Sequence, residues 1–355
     1  MLSTTSIPIT RTQNSLVSSF DFENITFGKQ ATDHIFIADY KDGEWQQARI
    51  EPYHNLSLSP MALCFHYGQT IFEGFKAFKM VDGNINVFRA QKHAQRINKS
   101  LDRMCMPAIP EELYIEATHQ LVKLEKNWVP DKENASLYLR PFVIATEPRL
   151  GVKVSEEYMF VIVCSPMASY YAKNLKVKVE TKYARAVEGG TGEAKCGGNY
   201  GAAFYPTQMA KEEGYDQVLW TDAIHHEYIE ESGTMNAMFI IDDVIITPSL
   251  EGSLLDGITR DSIITLAKDH RMKLEERRIS YKEIEADFKA RKKVEAFGIG
   301  TAAVIAPIEL IGINGNDYYP YVKEDAKMFT LKSLLQDIRL GKTADIHDWN
   351  YIIHI

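Results

Sequence analysis

The chain has 355 residues, 45% of them hydrophobic and 25% charged, with a net charge of -8. This length accommodates two domains with separate cores, and the composition is that of an ordinary soluble globular protein. The charge is spread without a sustained basic run, so the footprint of a nucleic-acid binder is missing, and no apolar run approaches the length of a membrane span. Cysteines 64, 105, 164 and 196 are far apart and form no Cys-x-x-Cys pair, which argues against a disulfide scaffold and a zinc cluster and for a reducing compartment.

The first twenty residues hold nine Ser or Thr, Arg11 and no acid. Residues 1–30 are therefore expected to be a partly disordered extension of a cytoplasmic protein, with a transit peptide to the mitochondrial matrix as the alternative. From His34 to Ile50, apolar alternation around Lys41-Asp-Gly43 predicts a hairpin, and Phe75–Met80 with Asn84–Arg89 around Val81-Asp-Gly83 predicts another. The strand period places Arg89 on the face of Ile85 and Val87, where a buried guanidinium needs either an internal carboxylate or a ligand phosphate. Helices are expected over Gln91–Met104 and Pro110–Trp128. The strand Ser136–Thr146 sets Tyr138 beside Arg140, which suits a carboxylate pocket or equally a core tyrosine with a salt bridge. After the apolar strand Tyr158–Met167, residues 168–174 read as a linker between a small domain, 31–167, and a large domain, 175–355.

The second domain opens with the strand Leu175–Arg185. The stretch Glu188 to Gly201 then places Lys195 as the only cation among six glycines (189, 190, 192, 197, 198 and 201). Ala194 and Cys196 flank the lysine, so the Gly-Lys-Ser/Thr of a P-loop is absent. A lone amine with space beside it suits Schiff-base chemistry, and an incidental lysine on a flexible surface loop is the competing possibility. A helix from about Tyr200 to Gly214 follows, then strands near 216–221 and 236–241. Glu230-Glu231, between them, has a solvated turn as its default. Gly257 precedes a helix whose first amides form a ready anion site. Ile299-Gly-Thr-Ala-Ala303 leads into strand rather than helix, so it is a β-turn and not a dinucleotide finger. A helix over Lys327–Gly341 closes the pattern.

Taken together, Lys195-Cys-Gly-Gly-Asn-Tyr-Gly, Glu231-Ser-Gly-Thr-Met-Asn, Gly257-Ile-Thr-Arg, Phe297-Gly-Ile-Gly-Thr-Ala, Phe72-Glu-Gly-Phe-Lys-Ala-Phe and Leu137-Tyr-Leu-Arg-Pro resemble the branched-chain amino-acid aminotransferases. The similarity runs from about Phe27 to Trp349. It implies an α+β, two-domain enzyme of fold type IV, each domain a mixed, barrel-like sheet with flanking helices, with pyridoxal 5'-phosphate at the domain interface. The implied reaction is transamination of leucine, isoleucine and valine with 2-oxoglutarate by a ping-pong mechanism. Lys195 would carry the cofactor aldehyde and shuttle the proton, and Glu231 would face the pyridine nitrogen. Arg89, the amides of Ile258 and Thr259, and Thr301 would take the phosphate, and Tyr200 the phenolic oxygen. Thr234 and the backbone at Ala302 would meet the substrate carboxylate, Phe72 and Tyr138 would line the side-chain pocket, and Arg140 would take the second carboxylate of glutamate. A homodimer is implied, with Tyr67 and Val152 reaching the neighbour's pocket. Where vertebrate members carry Cys-x-x-Cys, this chain has Ala303-Val-Ile-Ala306, so thiol regulation by that route is not expected. D-amino-acid aminotransferase, aminodeoxychorismate lyase, a cofactor-binding scaffold without turnover and a non-enzymatic protein with no cofactor are the rival readings.

Overall fold

The computed structural model describes residues 7–132, 134–168, 171 and 173–355. The chain divides into two compact units, Met1–Tyr170 with Ala194–Gly197 and Ile338–Ile355, and Tyr171–Glu193 with Gly198–Asp337. In the first unit, β1 (His34–Lys41) and β2 (Glu44–Pro52) form a hairpin, followed by α1 (Leu63–Tyr67), β3 (Thr70–Phe72), β4 (Phe75–Lys79) and β5 (Ile85–Phe88). Asp42 and Gly43 both take positive φ, 55° and 86°, as a two-residue turn matched to strand twist requires. Helices α2 (Ala90–Arg103) and α3 (Glu111–Leu124) come next, then the long strands β6 (Ser136–Ala145) and β7 (Tyr158–Met167). The expected second helix thus ends before Trp128, which lies in a short 3-10 turn. Ala94, Ile97 and Leu101 of α2 and Leu113, Ala117 and Leu121 of α3 are buried in one core with Phe75, Val87, Leu139 and Phe160 of the sheet, as helix and strand periods dictate.

The second unit runs β8 (Leu175–Glu180), α4 (Gly198–Glu212), β9 (Gln217–Thr221), β10 (Ile229–Ser232), β11 (Met235–Ile241), β12 (Val244–Thr247), α5 (Ile258–Asp269), β13 (Lys273–Glu276), α6 (Tyr281–Lys289), β14 (Val294–Gly300), β15 (Val304–Ile313), β16 (Asn316–Tyr318) and α7 (Lys327–Arg339). Its strands pair in the order β10, β9, β8, β15, β14, β11, and β11 pairs back onto β10, so six strands close into a barrel without a free edge. Val177, Leu219, Phe239, Ala296 and Ile311 are buried in its core.

The last strand, β17 (Asn350–Ile353), pairs antiparallel with β5 in the first unit's sheet, whose order is β17, β5, β4, β6, β7, β1, β2, with β3 beside β6. This pairing corrects the expected large domain, 175–355. Residues 338–355 belong to the first unit because their backbone completes that sheet. So does 194–197, whose Lys195 carbonyl accepts from the Phe72 amide at 3.0 Å. Of the expected linker, residues 169, 170 and 172 lie outside the described residues, as do 1–6. Residues 7–30 differ from the expected disordered extension. Ile50 exchanges backbone hydrogen bonds with Pro8 and Thr10, and Phe20 packs 5.2 Å from Trp128. Among the described residues no helix is long and apolar enough to cross a membrane.

Candidate active site

In the first unit, one face of α2 organises the surroundings of Lys195. Arg89 is the helix N-cap, and His93, Arg96 and Ser100 follow at helical spacing. The Ser100 hydroxyl accepts from the Lys195 amide at 3.0 Å, and Cys196 bridges to Ile71, so the lysine backbone is fixed between α2 and β3. Glu73 is fully buried and accepts from Arg96 at 2.6 and 2.9 Å, from His93 Nδ1 at 2.9 Å and from the Gly74 amide at 3.0 Å. Burial opposes its charge, but the Arg96 guanidinium and the His93 and Arg96 hydrogen bonds outweigh that and hold the carboxyl well below the usual range. Burial pushes His93 down to about 4, so the imidazole is neutral.

This anchor supports Phe72, whose ring lies 4.8 Å from Lys195 Nζ and 4.8 Å from the Arg140 guanidinium. Arg140 donates to the Tyr138 hydroxyl at 2.8 Å, and Phe27 meets Tyr138 edge-on at 5.0 Å. A side chain at Gly74 would collide with the Tyr138 hydroxyl, since a Cβ would stand 1.9 Å from it. The structure therefore brings Lys195, Phe72, Tyr138 and Arg140 together. Among the described residues no carboxylate pairs with Arg140, and its buried Nε has no hydrogen-bond partner. The salt-bridged core tyrosine is not what this strand builds.

Arg89 is corrected. The strand ends at Phe88, and Arg89 turns into the left-handed region, φ 55°, so it leaves the face of Ile85 and Val87 and is half-buried. Its amide donates to the Trp349 carbonyl at 2.6 Å, and its guanidinium lies 5.0 Å over the Trp349 ring. Tyr67 and Val152 are exposed, on the adjoining segments 61–67 and 147–154, where the Tyr67 hydroxyl donates to the Leu150 carbonyl.

In the second unit, Glu230-Glu231 is also corrected. The pair lies in β10, both side chains buried, because tertiary pairing overrides a polar local sequence. β10 and β11 form a two-residue hairpin whose tip is Gly233-Thr234. Thr234 is exposed, and Gly233, at φ 58°, has no room for a side chain against Gln217. Glu231 accepts from the Leu255 amide at 3.0 Å and pairs with Arg185 Nε at 3.4 Å. Arg185 also donates to the Ser253 and Gly192 carbonyls. Glu230 accepts from the Ser253 hydroxyl, and burial raises its pKa, so the two adjacent carboxyls have opposite environments.

Strand register carries Glu231 across to Asn236 and on to Ile299. The Gly233-Thr234 tip and the turn Thr301-Ala302-Ala303 therefore stand at one end of the barrel. Val304 closes that turn at φ 62°, a strained conformation for a β-branched residue. Gly257 caps α5 without a side chain, and its Cβ would stand 1.8 Å from Asn236 Oδ1, so the backbone passes close beside β11 and delivers the amides of Ile258 and Thr259. Tyr200 stands in the first turn of α4, where Asn199 exchanges hydrogen bonds with Thr191 and closes the glycine-rich loop.

A family model described as Amino-transferase class IV matches residues 70–311. A branched-chain-amino-acid transaminase of Bacillus subtilis is 45% identical over 338 residues, covering 93% of this chain and 94% of that protein. The chain belongs to the class IV aminotransferases, in their branched-chain-amino-acid aminotransferase family. The fold of this aminotransferase matches that of the Escherichia coli branched-chain amino acid aminotransferase at a TM-score of 0.74, with 23% identity, covering 92% of this chain and 100% of that one. The T.th. branched-chain amino acid aminotransferase, complexed with N-(5'-phosphopyridoxyl)-L-glutamate, matches at a TM-score of 0.71 with 22% identity, covering 89% and 98%. The two-domain α+β architecture expected for the aminotransferase is thus met. Glu73, His93, Arg96, Ser100, Arg185 and Trp349 escaped the sequence reading. The helical spacing of His93, Arg96 and Ser100 behind Arg89 was the available signal.

Proposed function

We propose that the chain transfers the amino group of leucine, isoleucine and valine to 2-oxoglutarate, with pyridoxal 5'-phosphate as cofactor, in two half-reactions that share one pocket. The observation that carries this is Lys195, fixed through its backbone with its amine over Phe72, beside an arginine that pairs with no carboxylate among the described residues. The residues fit a phosphorylated aldehyde by their chemistry, with one amine for the carbonyl, a buried carboxylate for a ring nitrogen, and a guanidinium and an uncapped helix start for a phosphate. When bound, the cofactor supplies an electron sink for the charge left as the substrate Cα proton departs. Lys195 would hold the cofactor through its aldehyde carbon, and its freed amine would serve as the base that moves a proton between the substrate Cα and that same cofactor carbon.

Glu231, paired with Arg185, would hold a proton on the ring nitrogen, and Tyr200 would donate to the phenolic oxygen. Arg89, the amides of Ile258 and Thr259, and the Thr301 hydroxyl bind the phosphate. Thr234 and the Ala302 backbone hold the substrate carboxylate. Phe72 and Tyr138 exclude water around the branched side chain, and Arg140 receives the second carboxylate of glutamate. The ligand of the T.th. enzyme, which joins phosphopyridoxyl to L-glutamate, supports both the cofactor and the amino acceptor. We assign a homodimer, supported by the exposed apolar side chains Met61, Phe65, Tyr67, Leu150, Val152 and Val154 on two adjoining segments. The four cysteines are free, which supports a cytoplasmic setting.

The test is the visible spectrum of the purified protein before and after excess L-leucine without keto acid. A band near the protonated carbonyl-cofactor form that moves to the amine form establishes cofactor and first half-reaction together. A band that D-alanine moves and L-leucine does not identifies a D-amino-acid aminotransferase. No band after added pyridoxal phosphate overturns the proposal. Lys195→Ala is expected to abolish turnover, and unchanged turnover in that variant contradicts the assigned role.

A further inference from the structure

Arg339, at the end of α7, is 2% exposed, and its Nε and Nη1 have no hydrogen-bond partner. Among the described residues no carboxylate pairs with it. Its guanidinium lies 4.5 Å from the Phe88 ring and 5.4 Å from Phe78. Phe88 meets Trp349 edge-on at 5.7 Å, and Trp349 in turn lies under Arg89 at 5.0 Å. Two arginines thus bracket a pair of aromatic rings. Burial, and then the charge of Arg89, push Arg339 down to about 9, which marks the two guanidinium groups as electrostatic neighbours.

The segment that carries Arg339 and Trp349 is clamped on the β4–β5 hairpin. Asn86 donates to the Arg339 carbonyl at 2.9 Å and to Asn350 Oδ1 at 2.6 Å, and Asn350 donates to the Ile338 carbonyl at 2.9 Å. The Trp349 carbonyl holds the Arg89 amide in its left-handed turn. Stacking on rings and the partial negative charge at a helix C-terminus both favour a cation here. Neither supplies the full counter-charge that a buried guanidinium requires.

We propose that Arg339 is a positioning residue for Arg89, its unpaired charge held by the 338–355 segment so that an anion arriving at Arg89, the cofactor phosphate, supplies the counter-charge that Arg339 lacks. This rests on the assignment of the phosphate to Arg89. Arg339 does not touch the phosphate. It acts through the Phe88–Trp349 pair, which orients Arg89, and through the positive potential it adds there. In the protein without cofactor the buried Arg339 guanidinium lacks a counter-charge, and binding of a dianion nearby relieves that cost.

The experiment uses the full chain stripped of cofactor, in the wild type and the variants Arg339→Met, Arg339→Lys and Arg89→Met. Dissociation constants are measured for pyridoxal phosphate and for pyridoxal, which lacks the phosphate, with the thermal midpoint of each cofactor-free protein. Arg339→Met is expected to weaken pyridoxal phosphate about tenfold and leave pyridoxal unchanged. Its cofactor-free midpoint is expected to equal or exceed that of the wild type. Arg339→Lys, which keeps the charge, is expected to retain most of the preference for the phosphorylated ligand. A lowered midpoint with both ligands weakened equally shows a packing role only and overturns the proposal. If Arg89→Met discriminates the two ligands and Arg339→Met does not, the inference fails alone. If Arg89→Met does not discriminate them, the phosphate assignment fails and the inference with it.

Discussion

Glu73 and Arg339 are both buried charges of the first unit, and the fold treats them in opposite ways. Glu73 has its counter-charge built in, with Arg96 on both oxygens and His93 and the Gly74 amide completing its shell. Arg339 has aromatic rings and, among the described residues, no carboxylate. A buried charge with a permanent partner fixes geometry whatever is bound, and here it fixes the strand that carries Phe72. One whose partner must arrive from outside makes stability depend on the ligand.

The largest effect is expected from breaking the permanent arrangement. Glu73→Ala leaves Arg96 buried beside a void, and denaturant titration is expected to show a loss of about 3–5 kcal/mol. A loss under about 1 kcal/mol would place the burden on packing instead. The same cluster sets an acid limit. With His93 pushed down to about 4 from an ordinary 6.5, the unfolded chain takes the proton first. Stability is then fully present above pH 6.5 and falls as the pH drops toward 4, by about 3 kcal/mol in all. Glu73, depressed from 4.5, adds a further loss below that value. Thermal midpoints across this range should fall in the wild type and flatten above pH 4.5 in His93→Asn.

A smaller effect, about 1–3 kcal/mol, is expected for Gly74→Ala, which overpacks against the Tyr138 hydroxyl without touching any charge. Its pH profile should match the wild type, which separates packing from charge in this strand. The pair of exposed Lys282 and half-buried Glu227 sharpens the contrast from the other side. Gln can still accept from the Ser280 hydroxyl and only the screened ion pair is lost, so Glu227→Gln is expected to move the denaturation midpoint little, a stability change under about 1 kcal/mol.

Local chemistry made much of this legible. The Lys41-Asp-Gly43 and Val81-Asp-Gly83 turns located both hairpins, and the apolar run Tyr158–Met167 matched β7 to the residue. Arg89 was misplaced because a non-glycine residue in the left-handed region leaves no trace in a two-residue period. Glu230 and Glu231 looked solvated because nothing local announces that β9 and β11 flank them or that Arg185 is aimed at Glu231. The return of β17 to β5 was invisible for the same reason, since a strand's partner is chosen by tertiary packing and not by its own residues. At the site, Lys195, Phe72, Tyr138 and Arg140 were all named from the sequence, whereas the Glu73 anchor beneath them emerged only when α2 was laid against β4.

The pairing of β17 with β5 also bears on how the protein is made. Asn86 and its partner Asn350 are 264 positions apart in the chain. At ribosomal speeds, roughly 13–50 seconds separate the synthesis of the two. Throughout that interval β5 is the open edge of a nascent sheet, with a row of unpaired amides and carbonyls beside apolar side chains, the configuration most prone to pairing with the wrong chain. Slower elongation lengthens that exposure, and a chain interrupted before Trp349 keeps the edge open for good, which makes the yield of soluble protein sensitive to events long after β1 to β7 have been made.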